Sequence, residues 1–154
     1  MLLLLGQLPC LAQEAIEVTD KIATYSVVAD STKIKQYSLL LQVRHDEISG
    51  ICLMKMISEK EVIGTVINEF GLTAFDFDYK DGKTQLSNLP PILDKWYIRR
   101  ILKKDLSFFF SYLLLGKDLR KSSRQISFSP DGEITLVNLR FKIKYKFTPI
   151  NEEK

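Results

Sequence analysis

Apolar and polar residues alternate along much of this chain, beginning at residue 37. In the first run Leu39, Leu41 and Val43 fall on one face, while Ser38 and Gln42 fall on the other. A period of two is typical of strands in a sheet with one buried and one solvated face. The same alternation predicts further strands at residues 48–57, 62–69, 72–79 and 83–86.

The predicted strands are joined by short turns. Asp81-Gly82 is the strongest hairpin signal in the chain, and Phe70-Gly71 predicts another tight reversal. Turns of this length leave no room for crossover helices, so neighbouring strands are expected to be antiparallel. A further stretch rich in β-favouring residues, 17–28, precedes the first run. Together these runs predict an antiparallel meander.

After Pro90-Pro91 the apolar period changes from two to 3.6. Leu93, Tyr97 and Ile101 form one stripe, which predicts an amphipathic helix over residues 92–104 with proline at its start and basic residues at its end. The apolar face of the meander is the only large surface that this stripe could cover. The predicted fold class is therefore α+β, with a central helix packed on a curved antiparallel sheet.

The C-terminal third contains one segment that the pattern does not resolve. Residues 108–115 are apolar on all sides, so their pattern does not show whether they form a helix or a strand. It also does not show whether they belong to the core or to a lid. Residues 126–128 predict a strand and residues 129–132 a turn. Residues 139–147 alternate so regularly that they predict one last strand. Its outward row, Lys142, Lys144 and Lys146, fits an edge-proximal strand protected from aggregation, or less well a site for anionic headgroups or nucleic acid.

The first twelve residues form an apolar leader. The run at residues 2–5 is followed by Cys10-Leu11-Ala12, which predicts a secretory signal peptide over residues 1–12, truncated because the positive n-region is missing. Acylation of Cys10 as a lipoprotein, or an apolar terminus of a cytosolic protein, are the alternatives. No linker or repeat divides residues 13–154, so they are predicted to form a single domain.

Side chains that carry chemistry are scarce. The only histidine, His45, lies in a predicted turn, and the few His and Cys residues cannot supply a nitrogen and sulfur metal site. Asp76 and Asp78 could form a carboxylate pair, although a solvated sheet face also requires polar residues. The net charge of +3 is small for a nucleic-acid binder. The sequence thus predicts a protein that is not an enzyme, with no cofactor, no metal and no nucleic-acid partner.

The inward apolar residues are the more informative set. Flexible methionines and flat aromatic rings suit an adaptable apolar pocket, and they equally suit an ordinary core. Phe108, Phe109 and Phe110, together with Phe70 in its turn, are predicted to contact a membrane or to act as a lid. The residues predicted to line an apolar cavity are Leu39, Leu41, Met54, Met56, Phe75, Phe77, Trp96, Tyr97, Phe141, Ile143 and Tyr145.

Residues 37–104 resemble the periplasmic outer-membrane lipoprotein carrier and receptor superfamily (the Lol carrier and related members of unknown function). The resemblance rests on the strand–glycine turn–strand segment 64–79, on Lys80-Asp81-Gly82, and on Leu89-Pro90-Pro91 at the start of a helix. It implies an unclosed half-barrel that binds an acyl chain, with hand-over of lipid or lipoprotein at the outer membrane. The receptor member's acylated cysteine and protruding apolar loop have only weak counterparts here, in Cys10 and Phe70.

These observations lead to one expectation and one main rival. We expect a monomeric periplasmic or outer-membrane-associated protein that binds an acyl chain or a lipoprotein and makes peripheral contact with the membrane surface. Trp96 and Tyr97 would be its lid. The rival is an envelope interaction module with a solid core that docks another protein. The two differ in whether the interior contains an apolar void of hundreds of Å³.

Overall fold

The computed structural model describes residues 34–71, 73–116 and 123–150. The predicted signal peptide and the β-favouring stretch 17–28 lie outside these ranges. The described residues form eight strands and one helix: β1 (Lys35–Val43), β2 (Asp46–Ser58), β3 (Glu61–Ile67), β4 (Thr73–Lys80), β5 (Lys83–Ser87), α1 (Trp96–Leu115), β6 (Arg124–Phe128), β7 (Ile134–Asn138) and β8 (Ile143–Pro149).

All eight strands belong to one antiparallel sheet in the order β5-β4-β3-β2-β1-β8-β7-β6. Two meanders, β1–β5 and β6–β8, are joined where β1 pairs with β8, as in the pair Leu41 and Tyr145. The sheet curls into an open half-barrel, and α1 packs against it. The predicted fold class is confirmed.

The last strand lies in the middle of the sheet. Because β8 pairs with both β1 and β7, the edges are β5 and β6, and the prediction of an edge-proximal last strand is wrong. Lys144 and Lys146 remain on the convex face, where the Lys146 Nζ lies 3.6 Å from the Glu133 Oε1. Lys142 does not belong to this row, because it lies in the turn that joins β7 to β8.

That turn was missed because its residues continue the alternation of the flanking strands by coincidence. Residues 139–142 reverse the chain, with Lys142 at a φ of 54°. The buried Asn138 stabilises the reversal, since its Oδ1 accepts the Phe141 backbone N–H at 3.2 Å. Leu139 and Phe141 therefore do not belong to the last strand.

Helix α1 is later and longer than predicted. The backbone N–H groups of Leu93 and Asp94 both donate to the Pro90 carbonyl at 2.9 Å, so residues 90–94 form a turn before the helix begins. The segment that the sequence pattern left unresolved continues the helix to Leu115. Gly116 ends it at a φ of 60°, donating its N–H to the Tyr112 carbonyl at 3.1 Å. Within the described ranges, no helix has the length and hydrophobicity that spanning a membrane requires.

Gly64 allows the interior of the half-barrel to close. It pairs with Phe77 across β3 and β4, and the Phe77 ring lies over it. A Cβ at this position would clash with Phe77 Cζ and would lie 2.7 Å from the Leu53 carbonyl oxygen. The absence of a side chain at Gly64 therefore lets an aromatic ring pack directly on the sheet backbone.

Candidate functional site

Most of the residues predicted to line a cavity lie on the concave face. Met56, near the end of β2, is half-buried. Seven others are buried in one continuous apolar cluster with the helix: Leu39, Leu41, Met54, Phe75, Phe77, Ile143 and Tyr145.

Aromatic rings from α1 occupy the space between the helix and the sheet. Phe110 stacks on Phe77 with ring centroids 5.5 Å apart, and it lies 5.4 Å from the Tyr79 ring. Phe109 stacks on Phe147 at 4.8 Å with an interplanar angle of 18°. Side chains of the protein itself therefore occupy this part of the concave face.

The prediction that Phe108, Phe109 and Phe110 contact a membrane is wrong, because all three are buried. Their alternative role, as part of a lid, stays a prediction. They lie in the second half of α1, where Phe109 and Phe110 pack on rings of the sheet. The run is apolar all round because this half of the helix is covered on more than one side.

Three other predicted cavity residues are exposed. Trp96 is 76% exposed, and Tyr97 and Phe141 are each 37% exposed. The buried stripe of the helix includes Leu102, Leu106, Phe109 and Leu113. Trp96 and Tyr97 precede that stripe in the first turn of α1, and Phe141 lies in the β7–β8 turn. Neither Trp96 nor Tyr97 covers the interior, so their prediction as a lid is wrong.

A buried carboxylate joins the helix to the far side of the sheet. Asp105 has no exposed surface. Its Oδ1 accepts hydrogen bonds from Arg124 Nε at 2.6 Å and from Asn138 Nδ2 at 2.8 Å, and its Oδ2 accepts from the Tyr145 hydroxyl at 2.8 Å. This group, called here the Asp105 cluster, connects α1 to β6, β7 and β8. Three donors satisfy a carboxylate that would otherwise be costly to bury.

Hydroxyl groups join the helix to the opposite side of the sheet. The Tyr79 and Ser111 hydroxyl oxygens lie 3.0 Å apart, within hydrogen-bond distance. Ser107 donates to the Lys103 carbonyl at 2.6 Å, and its Oγ accepts the Thr84 backbone N–H at 3.0 Å. The helix is thus held to both halves of the sheet by polar contacts on either side of the aromatic packing.

Burial shifts the titration of three inward groups. Desolvation raises the pKa of Cys52 to about 12. Desolvation, with a smaller contribution from Cys52, raises the pKa of Tyr37 to about 12. The pKa of Tyr145 is raised well above its ordinary value, first by desolvation and then by the neighbouring Asp105 carboxylate. All three groups are therefore neutral at physiological pH.

The exposed aromatic residues gather at one end of the half-barrel. The pairs Val43 with Asp46, Ile67 with Thr73, and Asn138 with Ile143 place the β1–β2, β3–β4 and β7–β8 turns at the same end of the antiparallel sheet. Chain direction places the start of α1 there as well, since β5 runs toward this end. We call it the aromatic end; its exposed large apolar residues are Phe70, Ile92, Trp96, Tyr97, Leu139 and Phe141.

Phe70 is 86% exposed in the β3–β4 turn. The first half of α1 adds an open groove of about 470 Å³ on the outer face of the helix, lined by Asp94, Trp96, Arg99, Arg100, Lys103 and Lys104. This end of the molecule therefore combines exposed aromatic rings with concentrated positive charge.

The residues considered for chemistry do not line the groove beside α1. Asp76 and Asp78 are on the convex face, and the Asp76 Oδ2 accepts a hydrogen bond from Asn88 Nδ2 at 2.6 Å. His45 is exposed in the β1–β2 turn. Among the residues that the structure describes, no group of three or more His, Cys, Asp or Glu side chains could hold a metal ion.

No protein-family model matches the chain, and no curated protein matches its sequence.

Two features of the site escaped sequence reasoning. Asp105 follows Leu102 by three residues and precedes Phe109 by four, so it lies on the apolar stripe. One acidic residue in that position signals a buried partner. The basic residues of the groove are explained in the sequence as the C-terminal end of a helix that stops at residue 104. In the structure the helix continues to Leu115, so these residues lie in its first half.

Proposed function

We propose that this protein is a non-catalytic interaction module with a solid core, which acts through the aromatic end of its half-barrel. The observation that carries the proposal is the filled interior: Phe109 and Phe110 occupy the concave face that a carrier would keep for its ligand. A module with a filled interior would bind its partner through the outer surface.

The distribution of exposed apolar groups supports this choice of surface. Phe70, Trp96 and Leu139 come from three separate segments, yet register and chain direction place them at the same end of the sheet. Large apolar side chains that are exposed in one region, next to charged groups, are typical of contact sites. Trp and Arg, both present here, are enriched in the energetically dominant parts of interfaces.

The variant Phe110→Ala tests the solid core. A ring packed on all sides loses both transfer energy and contacts, so we expect the free energy of unfolding to fall by about 3–5 kcal/mol in urea denaturation. Phe70→Ala is the matched control, since the same change at an exposed turn should cost less than about 0.5 kcal/mol. A loss below about 1 kcal/mol for Phe110→Ala would show that its ring faces a void, and the proposal would fail.

The second candidate is the acyl-chain or lipoprotein carrier suggested by the resemblance to the periplasmic lipoprotein carriers. It is favoured by the polar contacts that hold α1 on the sheet, because water could replace the bonds of Asp105 and of Ser111 if the helix moved away. Buried ion pairs often stabilise a fold less than apolar groups of the same volume. A carrier would therefore open by lifting α1.

Added lipid distinguishes the candidates. A ligand that enters the interior stabilises the folded protein by about 2.7 kcal/mol when it is present at about 100 times its Kd. The solid-core module predicts that the melting temperature of Arg100→Gln/Lys104→Gln, which lacks two cations of the outer surface, is unchanged by fatty acids and by lipopeptides. The exported location and monomeric state expected from the sequence belong to both candidates as predictions; fractionation of the producing cells and sedimentation equilibrium test them.

A further inference from the structure

The first half of α1 carries an unusual concentration of positive charge. Residues 94–104 include five cations and a single carboxylate, and we call the cations the basic face: Lys95, Arg99, Arg100, Lys103 and Lys104. Asp94 is paired with Arg99, and Lys103 donates to Gln85 Oε1 at 3.3 Å. Within the residues that the structure describes, Arg100 and Lys104 have no ion-pair partner.

This charge opposes the electrostatics of the helix itself. The N-terminal end of a helix is the positive end of its dipole and prefers acidic side chains. The first turn of α1 contains no acidic residue, and Lys95 occupies the N-cap position without a side-chain cap. Lys95 is therefore placed where it destabilises α1. Departures from local preference of this kind are expected where a surface serves a function.

Trp96 lies in the middle of this charge. It is 76% exposed, it lines the groove together with Arg99, Arg100, Lys103 and Lys104, and it is the only tryptophan in the chain. Its ring packs against Tyr97 at right angles with centroids 5.9 Å apart. An exposed tryptophan gains little from water, whereas its amphipathic ring is stable at the headgroup level of a membrane.

We infer that the basic face and Trp96 form a docking site for the surface of an anionic phospholipid membrane. The inference rests on the proposed function, because it names the partner of the aromatic end. Lys and Arg side chains attract the negatively charged headgroups, and Trp96 and Tyr97 enter the interfacial layer. Phe70 lies at the same end of the sheet and adds apolar area to the contact.

Charge complementarity and side-chain type favour a membrane over other anionic partners. A nucleic-acid site needs a basic track along the backbone with several aromatic platforms for bases. Here one half of one helix is basic, and the other exposed groups at this end, Phe70, Ile92 and Leu139, are apolar residues without a polar edge for reading bases. Aromatic and aliphatic groups beside cations match the headgroup and acyl layers of a bilayer.

Fluorescence of the full-length chain tests the inference, because Trp96 is the only tryptophan. Vesicles of phosphatidylcholine mixed equally with phosphatidylglycerol should shift its emission to shorter wavelength, and vesicles of phosphatidylcholine alone should not. The double variant Arg100→Gln/Lys104→Gln should bind the anionic vesicles about thirtyfold more weakly in co-sedimentation. Added salt should weaken binding of the unaltered protein.

The matched control removes the same charge elsewhere. Lys55→Gln/Lys144→Gln changes two exposed lysines on the convex face and should bind within about twofold of the unaltered protein. All variants retain residues 1–12, so membrane affinity of the leader is common to every sample. Unchanged Trp96 emission with both vesicle types overturns the inference, as does an equal loss of binding in the control.

A single-stranded oligonucleotide that alters Trp96 emission when vesicles do not would also overturn it, in favour of a nucleic-acid partner. None of these outcomes bears on the filled interior. The proposed solid core is judged separately by Phe110→Ala and by added lipid, so the two failures are distinguishable.

Discussion

Replacing Asp105 with asparagine should destabilise the fold far more than its small change in shape suggests. The carboxylate has no exposed surface, and its two oxygens accept hydrogen bonds from Arg124, Asn138 and Tyr145. An amide retains one acceptor oxygen and replaces the other with a donor. If the retained oxygen accepts from Arg124 and Asn138, the new amide N–H faces the Tyr145 hydroxyl. The hydroxyl proton of Tyr145 then has no buried acceptor.

The magnitude follows from two losses. Removing one partner of a buried ion pair typically costs about 3–5 kcal/mol, and an unsatisfied buried hydroxyl about 1–3 kcal/mol. The Arg124 side chain is 18% exposed, so water would partly solvate its charge after the carboxylate is lost. We therefore expect a loss of about 3 kcal/mol, which lowers the urea midpoint by about 1.5 M for a slope of about 2 kcal/mol/M.

The assay is urea denaturation followed by far-ultraviolet circular dichroism, with Asp94→Asn as the matched control. Asp94 also pairs with an arginine, Arg99, but on the exposed start of the helix. Exposed pairs contribute about 0–1 kcal/mol, so the control should remain close to the unaltered protein. If Asp105→Asn cost no more than Asp94→Asn, the Asp105 cluster would not hold α1 to β6–β8.

Three further predictions concern the interior and the start of the helix. Gly64→Ala should lower the free energy of unfolding by about 1–3 kcal/mol, and Phe77→Leu should reduce that cost in a double-mutant cycle, because the new Cβ meets the Phe77 ring. The free energy of unfolding should fall as the pH rises from about 9 toward about 12, because unfolded chains release the Cys52 proton that the folded protein keeps. Cys52→Ala should flatten this pH dependence. An equal slope in both proteins would refute the raised pKa of Cys52. Trp96→Ala should change the free energy of unfolding, measured by thermal denaturation, by less than about 0.5 kcal/mol. Loss of a tryptophan that acted as a lid would instead lower it by about 3–5 kcal/mol.

The sheet was predictable because its pattern is enforced by burial. Shifting a strand by one residue would expose Leu39 and Leu41 and bury Ser38, so the alternation determines which face is inward. The turn at Asp81-Gly82 likewise has a local cause, with Asp81 at a φ of 50° and Gly82 at 86°. These local rules account for the meander β1–β5 and for the placement of the helix against it.

The rest depended on tertiary contacts that leave little trace in the sequence. The pattern from Leu139 to Phe147 is continuous, and only the side chain of Asn138 distinguishes the turn from a strand. The helix start could not be read from Pro90, because the turn that follows it uses the same apolar residue, Leu93, as the predicted stripe.

The candidate site was predicted least well, for a related reason. A set of apolar residues such as Phe77 and Tyr145 has the same pattern whether it surrounds a ligand or a helix. Which of the two occupies the concave face depends on where Phe109 and Phe110 lie, and a run that is apolar on all sides does not determine this. The exposure of Trp96 followed from the late start of α1.

Native mass spectrometry of the protein, purified without detergent, tests the central claim most directly. A filled interior predicts the mass of the polypeptide alone, unchanged after incubation with fatty acid or lipopeptide. A co-purifying mass that extracts into organic solvent, or a stable added mass, would place a ligand inside the half-barrel and contradict the solid core if it persists in Arg100→Gln/Lys104→Gln.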